Sequence, residues 1–147
     1  VYIGVLSTLN QGLIVRRLLP RWGERKMLRI GLLLMVFSFA LIGLSTNLVV
    51  LGIAMTLLPF GHSMTNPSIL GSVSLLTPSD EQGEAMGATQ GFSALGRIFG
   101  PAIGGFVFQE IAQSSPYWIS ALLALMALGI VFLLGERVPA TARRKEA

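Results

Sequence analysis

Apolar residues fall into five runs separated by short polar segments: Val1–Val15, Met27–Ser45, Leu48–Leu76, Ala85–Phe108 and Tyr117–Leu134. A helix needs about 20 mostly apolar residues to cross the hydrocarbon core, and roughly 17 is the lower bound, so each of the last four runs is long enough. Helices suit that environment because every backbone donor and acceptor pairs within the segment. Leu48–Leu76 is long enough to tilt or bend, with Pro59 and Pro67 as kink sites. Val1–Val15 is apolar but too short to span, so the chain is expected to begin inside a span and to be part of a longer protein. The expected architecture is an all-α membrane protein: a bundle of five transmembrane helices (residues 1–15, 27–45, 48–76, 85–108 and 117–134) with a tail at 135–147.

Composition supports this picture. The chain has 147 residues, 52% hydrophobic and 12% charged, with mean hydropathy +0.70. Soluble domains carry about 25% charged residues, so an ordinary soluble domain is excluded. Cysteine is absent, which removes disulfides, thiolate metal sites and cysteine nucleophiles together. A pI near 10.4 would fit nucleic-acid binding, but the basic residues are confined to short segments between apolar runs. A surface-loop role fits better, and no nucleic-acid partner is expected.

The linkers sort by charge. Arg16, Arg17, Arg21, Arg25, Lys26 and Arg29 surround Glu24 between the first two runs, and Arg137, Arg143, Arg144 and Lys145 follow the last. Thr46–Asn47 and Gln109–Pro116 hold no Lys or Arg. Alternating spans put both basic segments on one side, together with Thr77–Glu84, and the positive-inside rule makes that side cytoplasmic. Asp80, Glu81 and Glu84 in the third linker do not oppose this, because acids contribute little to the rule. Tyr117 and Trp118 begin the last run at the opposite interface, where aromatic belts form. An integral protein of the cell (inner) membrane, with basic linker and C-terminus cytoplasmic, is expected.

The few polar residues within the runs are ordered. At about 100° per residue, Gln90, Ser93 and Arg97 share roughly 60° of one helix, with Gly96, Gly100 and Gly104 beside them. Gly87, Gly91, Ala94 and Gly105 lie on another face. Small residues let helix backbones approach closely in lipid, so close neighbours on two sides and a central position are expected for this helix. In Leu48–Leu76, Gly52, Pro59, His62, Ser63 and Asn66 share about 100°, and Gly4, Ser7, Thr8 and Gln11 form a comparable stripe in the first run. The second run has only Ser38 near its middle and the fifth only Ser120, so these two are expected at the periphery. A shared cavity lined by the three striped helices is one reading; hydroxyls bonding back to their own helix are the other.

Arg97 is costly, at about 2.5–3.5 kcal/mol for an arginine at a helix centre on insertion scales, so it should face protein or water. All seven acids lie in linkers or near helix ends, while Arg97 stands about 16 Å of helix rise from either end of its run. Its counter-charge is then carbonyls, water, an anionic substrate or an acid elsewhere in the protein, and structural and substrate or coupling roles both stand. His62 is the other titratable group at depth, and either proton coupling or packing fits a histidine there.

With these residues placed, the chain resembles the C-terminal half of a major facilitator superfamily transporter over essentially its whole length. Gly12 followed by Arg16 to Lys26 looks like the family's cytoplasmic loop motif G-x-x-x-D-R-x-G-R-[RK], carried by Arg21, Gly23, Arg25 and Lys26, with Pro20 where the acid would stand. That departure puts the acid's conformation-locking contact in question for this chain. The run Thr77 to Gly83 resembles the linker entering the family's eleventh helix. Gly87, Gly96, Gly100, Pro101, Gly104 and Gly105 match the antiporter signature G-x8-G-x3-G-P-x2-G-G residue for residue. The signature marks helix 5 in the family, so helices 2–6 and 8–12 are both possible placements. Leu48–Leu76 lacks the helix-4 motif R-x-x-x-G and the chain ends in a basic tail. Both favour helices 8–12, with the signature on the related repeat.

The resemblance implies alternating access in a twelve-helix fold of the drug:proton antiporter branch, including tetracycline-efflux-like members associated with multidrug resistance. It implies no cofactor and no metal; the partners would be the missing N-terminal half of the same chain, membrane lipid, a small-molecule substrate and protons. Gln11, His62, Asn66, Gln90, Ser93 and Arg97 would face the pathway. A membrane scaffold or accessory subunit, whose glycine faces serve only association, is the alternative. No H-E-x-x-H, G-x-S-x-G or paired intramembrane carboxylates point to an enzyme.

Overall fold

The computed structural model describes the backbone of residues 16–134 and the side chains of 22–134. Four helices make up this region: α1 (Arg16–Leu44), α2 (Leu48–Leu76), α3 (Gln82–Glu110) and α4 (Ser115–Leu134). All four are long and apolar enough to cross a membrane, α1 from Trp22 onward. The expected count of five is therefore not matched among the described residues, because Val1–Val15 lies outside them, as does the tail at 135–147.

One expected linker is helical. The basic segment from Arg16 is a short helical stretch that meets the following span at a kink at Gly23, whose φ of 76° and ψ of 160° leave the helical region. Arg and Leu are good helix formers, and glycine alone takes this backbone conformation without a Cβ clash. The kink lets the basic turn change direction where the apolar run begins.

The other boundaries follow local chemistry. Asn47 caps α2 through its Oδ1, which accepts from the Val49 N–H at 3.0 Å. At the far end of α2 the Gln82 side chain donates from Nε2 to the Ser74 carbonyl at 3.1 Å and the Thr77 carbonyl at 3.5 Å. It thereby satisfies acceptors that the ending helix leaves open. Pro59 and Pro67 both sit inside α2, and Pro101 inside α3.

Packing centres on α1, which lies against both α2 and α4. Glu24 meets Gly71, Gly31 meets Gly61, and Ser38 meets Ala54, so α1 and α2 run antiparallel. Gly43 against Trp118 and Arg29 against Phe132 give the same sense for α1 and α4. The face of α2 turned to α1 carries Ala54, Gly61, Met64, Thr65 and Ser68, all buried. A Cβ on Gly61 would stand 2.8 Å from the Gly31 carbonyl oxygen, and one on Gly31 would stand 2.9 Å from the Gly61 carbonyl oxygen. The crossing therefore needs glycine on both sides, the mechanism by which helices associate in lipid.

Met27 and Met64, with Ile30 and Leu34, fill the space beside that crossing. The buried Ser38 hydroxyl donates across it to the Ala54 carbonyl at 2.6 Å. Among the described residues α1, the run expected at the periphery of the whole bundle, is the most engaged helix. A helix poor in polar residues can still centre a bundle when its small residues admit a neighbour's backbone.

Candidate functional site

The expected pathway residues sit on α2 and α3, apart from Gln11, which lies outside the described residues. On α2 the predicted polar stripe is turned away from α1. His62 and Asn66 are exposed there, one helical turn apart, with Asn66 Nδ2 3.3 Å from His62 Nε2. Pro59 and Ser63, from the same stripe, are buried. The stripe therefore divides into an inner half that packs and an outer half that presents an amide and an imidazole.

Gln90, Ser93 and Arg97 are all exposed on α3. The Ser93 hydroxyl donates to the Thr89 carbonyl of its own helix at 2.9 Å, as the bland reading of intramembrane hydroxyls expects. Thr56, Thr65, Ser68, Ser72, Thr89 and Ser120 also bond back to the carbonyl four residues earlier. Two hydroxyls also reach across the α1–α2 crossing: Ser38 donates to the Ala54 carbonyl at 2.6 Å, and Thr65 has a longer contact to the Met35 sulfur at 3.8 Å. Gln90 and Arg97 keep their polar groups directed outward. The opposite side of α3 bears Phe92, Leu95, Phe99, Ile103 and Phe106, each at least 49% exposed, so α3 has two chemically distinct faces.

The glycines of the signature are equally open. A Cβ built on Gly87, Gly96, Gly100, Gly104 or Gly105 meets nothing within 4 Å, and Val107 is the buried residue of this helix. The neighbours such faces call for are therefore not among the described residues. No hydrogen bond or ion pair among the described residues joins His62 or Asn66 to the α3 stripe.

The loop motif has a clear local role. Gly23 makes the kink, Lys26 is exposed, and the Nε of Arg25 is buried with no hydrogen-bond partner among the described residues. The Arg21 side chain lies outside those described. Sequence reasoning missed Gly31 and Gly61, which belong to no dense glycine motif on their helices. The alignment of Ala54, Gly61, Thr65 and Ser68 on one face was the available signal. It also missed Arg29, whose guanidinium carbon sits 4.2 Å from the Phe132 ring centroid in a cation–π contact between α1 and α4.

Comparison with known proteins agrees with this architecture. Residues 7–147 match the family described as the Major Facilitator Superfamily. The chromaffin granule amine transporter of Rattus norvegicus is 33% identical over 112 residues, covering 74% of this chain and 22% of the relative. Multidrug resistance protein 2 of Bacillus subtilis (strain 168) is 27% identical over 129 residues, covering 88% and 32%. The riboflavin transporter RibZ of Clostridioides difficile (strain 630) is 29% identical over 113 residues, covering 76% and 25%. The matched region thus spans between about a fifth and a third of these relatives' lengths.

Proposed function

The chain belongs to the Major Facilitator Superfamily, and from that premise we propose that it forms part of a secondary active transporter moving a small organic solute by alternating access. It supplies helices 8–12, with α1 to α4 as helices 9–12, and the transporter exports its solute in exchange for protons. The basic ends of the helices face the cytoplasm of a cell whose inner membrane holds the protein.

The observation that carries this reading is the two-faced exposure of α3. Its Gln90, Ser93 and Arg97 sector opposes a stripe of phenylalanine and aliphatic residues, and its glycine faces are open for other helices. A helix that sets a cation and an amide against a strongly apolar back suits the wall of a wet cavity in a bilayer. The antiporter signature on this same helix supports proton exchange and the drug-efflux branch. The named relatives, an amine transporter, a riboflavin transporter and a multidrug resistance protein, support an organic solute. His62 and Asn66 form the α2 part of the same pathway, and Arg97 faces an acid, a carbonyl cluster or the solute in the remainder of the protein.

Flux into proteoliposomes holding the complete protein tests this. An imposed proton gradient is expected to drive movement of at least one of three probes, an aromatic amine, a lipophilic cationic dye or a flavin, and a protonophore is expected to stop it. Absence of gradient-driven flux for all three favours the scaffold reading, in which the glycine faces serve only association.

A further inference from the structure

We propose that the cleft between α1 and α4 at the basic end of the bundle binds the headgroup of an anionic phospholipid, with phosphatidylglycerol as the probe. This rests on reading the helices as membrane spans and not on the transport reaction. Trp22, Lys26, Arg29, Ile30 and Leu33 of α1 and Phe132 of α4 line an open groove of about 390 Å³ there. Beyond the Gly23 kink, Lys26, Arg29, Ile30 and Leu33 lie within about 100° of the helix, and Trp22 joins them in lining the cleft from the other side of the kink.

Their order along the stripe matches a lipid. Trp22 and Lys26 are exposed at the end of the span, at the level where indoles and ammonium groups meet headgroups. Arg29 follows one turn deeper and Ile30 and Leu33 lie beyond it, forming an apolar floor on which the first carbons of an acyl chain can rest.

Among the described residues no acid lines this cleft. Glu24 is the only acid of α1, and it lies on the other side of the helix against Gly71 of α2. Arg29 has an aromatic ring 4.2 Å from its guanidinium carbon, and its Nε is buried without a hydrogen-bond partner among the described residues. Phe132 therefore fixes the orientation of the guanidinium without neutralising it. Two cations at the membrane surface, one of them held by a ring, complement a phosphodiester. Basic pockets between transmembrane helices capture anionic headgroups by this chemistry.

The test places the complete protein in nanodiscs of equal phosphatidylglycerol and phosphatidylcholine and counts retained lipids by native mass spectrometry. Wild type is expected to retain phosphatidylglycerol in preference to phosphatidylcholine. Lys26→Gln, at an exposed site that leaves packing intact, is expected to lower that preference about fivefold, and the Lys26→Gln/Arg29→Gln pair roughly thirtyfold. Equal retention of the two lipids by wild type, or an unchanged preference in both variants, overturns the lipid site and assigns the cleft to another segment of the protein. Carbonate extraction of the same samples separates the premises. Protein that resists extraction but shows no preference sinks the lipid site alone, whereas protein that is extracted sinks the membrane-span reading with it.

Discussion

The α1–α2 pair and α3 use glycine in opposite circumstances. Gly31 and Gly61 stand one on each helix, and each excludes any larger residue at the other's backbone. The glycines of α3 come as a dense motif, yet none has a neighbour within 4 Å of where a Cβ would sit. Buried residues make up 33% of the most apolar stretch of α2 and 6% of that of α3. A glycine motif thus marks surface prepared for close approach, and only the structure tells whether the partner lies within the same stretch of chain. In the first case the partner is thirty residues away; in the second it is not among the described residues.

Four substitutions sharpen or break this contrast, in descending order of effect. Arg97→Ala in the complete protein is expected to abolish gradient-driven flux while leaving membrane insertion intact, measured by flux and carbonate resistance on the same vesicles. Retained flux would remove Arg97 from the pathway. Gly61→Ala is expected to destabilise the α1–α2 unit by about 1–3 kcal/mol, since its methyl would meet backbone that cannot swing aside. Steric-trap unfolding in bicelles measures this. Ser38→Ala removes the hydroxyl-to-carbonyl bond between α1 and α2 and is expected to cost roughly 0.6–1.7 kcal/mol in the same assay. Gly100→Ala is expected to change the stability of the α1–α2 unit by less than about 0.5 kcal/mol, yet to slow transport in the complete protein, where other helices would pack on α3. A stability loss matching that of Gly61→Ala would erase the distinction between the two glycine sets.

Much of the fold was legible in the hydrophobic pattern. The Leu48–Leu76 helix has the predicted limits, and those of Ala85–Phe108 and Tyr117–Leu134 extend by two or three residues at one or both ends. Asn47 and the kink-prone prolines are local features that sequence displays directly. The helical backbone of the basic segment was not legible because charge is a poor guide to backbone conformation, and Gly23 marks where it bends into the span. The central place of α1 was hidden because pairwise approach depends on which single glycines face each other, a tertiary property that no one-dimensional spacing encodes. The polar stripes on α2 and α3 could be read from periodicity. Their division into packed Ser63 and outward His62, Asn66, Gln90 and Arg97 required the neighbours.

The most direct test of α3 as a pathway wall uses the absence of cysteine from this chain. Single cysteines at Gln90, Ser93 and Arg97, and on the opposite face at Phe92 and Phe99, would be reacted in membranes with a charged, impermeant thiol reagent. Labelling at 90, 93 and 97 with protection at 92 and 99 is the expected result. Equal labelling of both faces, or labelling confined to 92 and 99, would contradict the assignment of the Gln90–Ser93–Arg97 sector to a water-filled route.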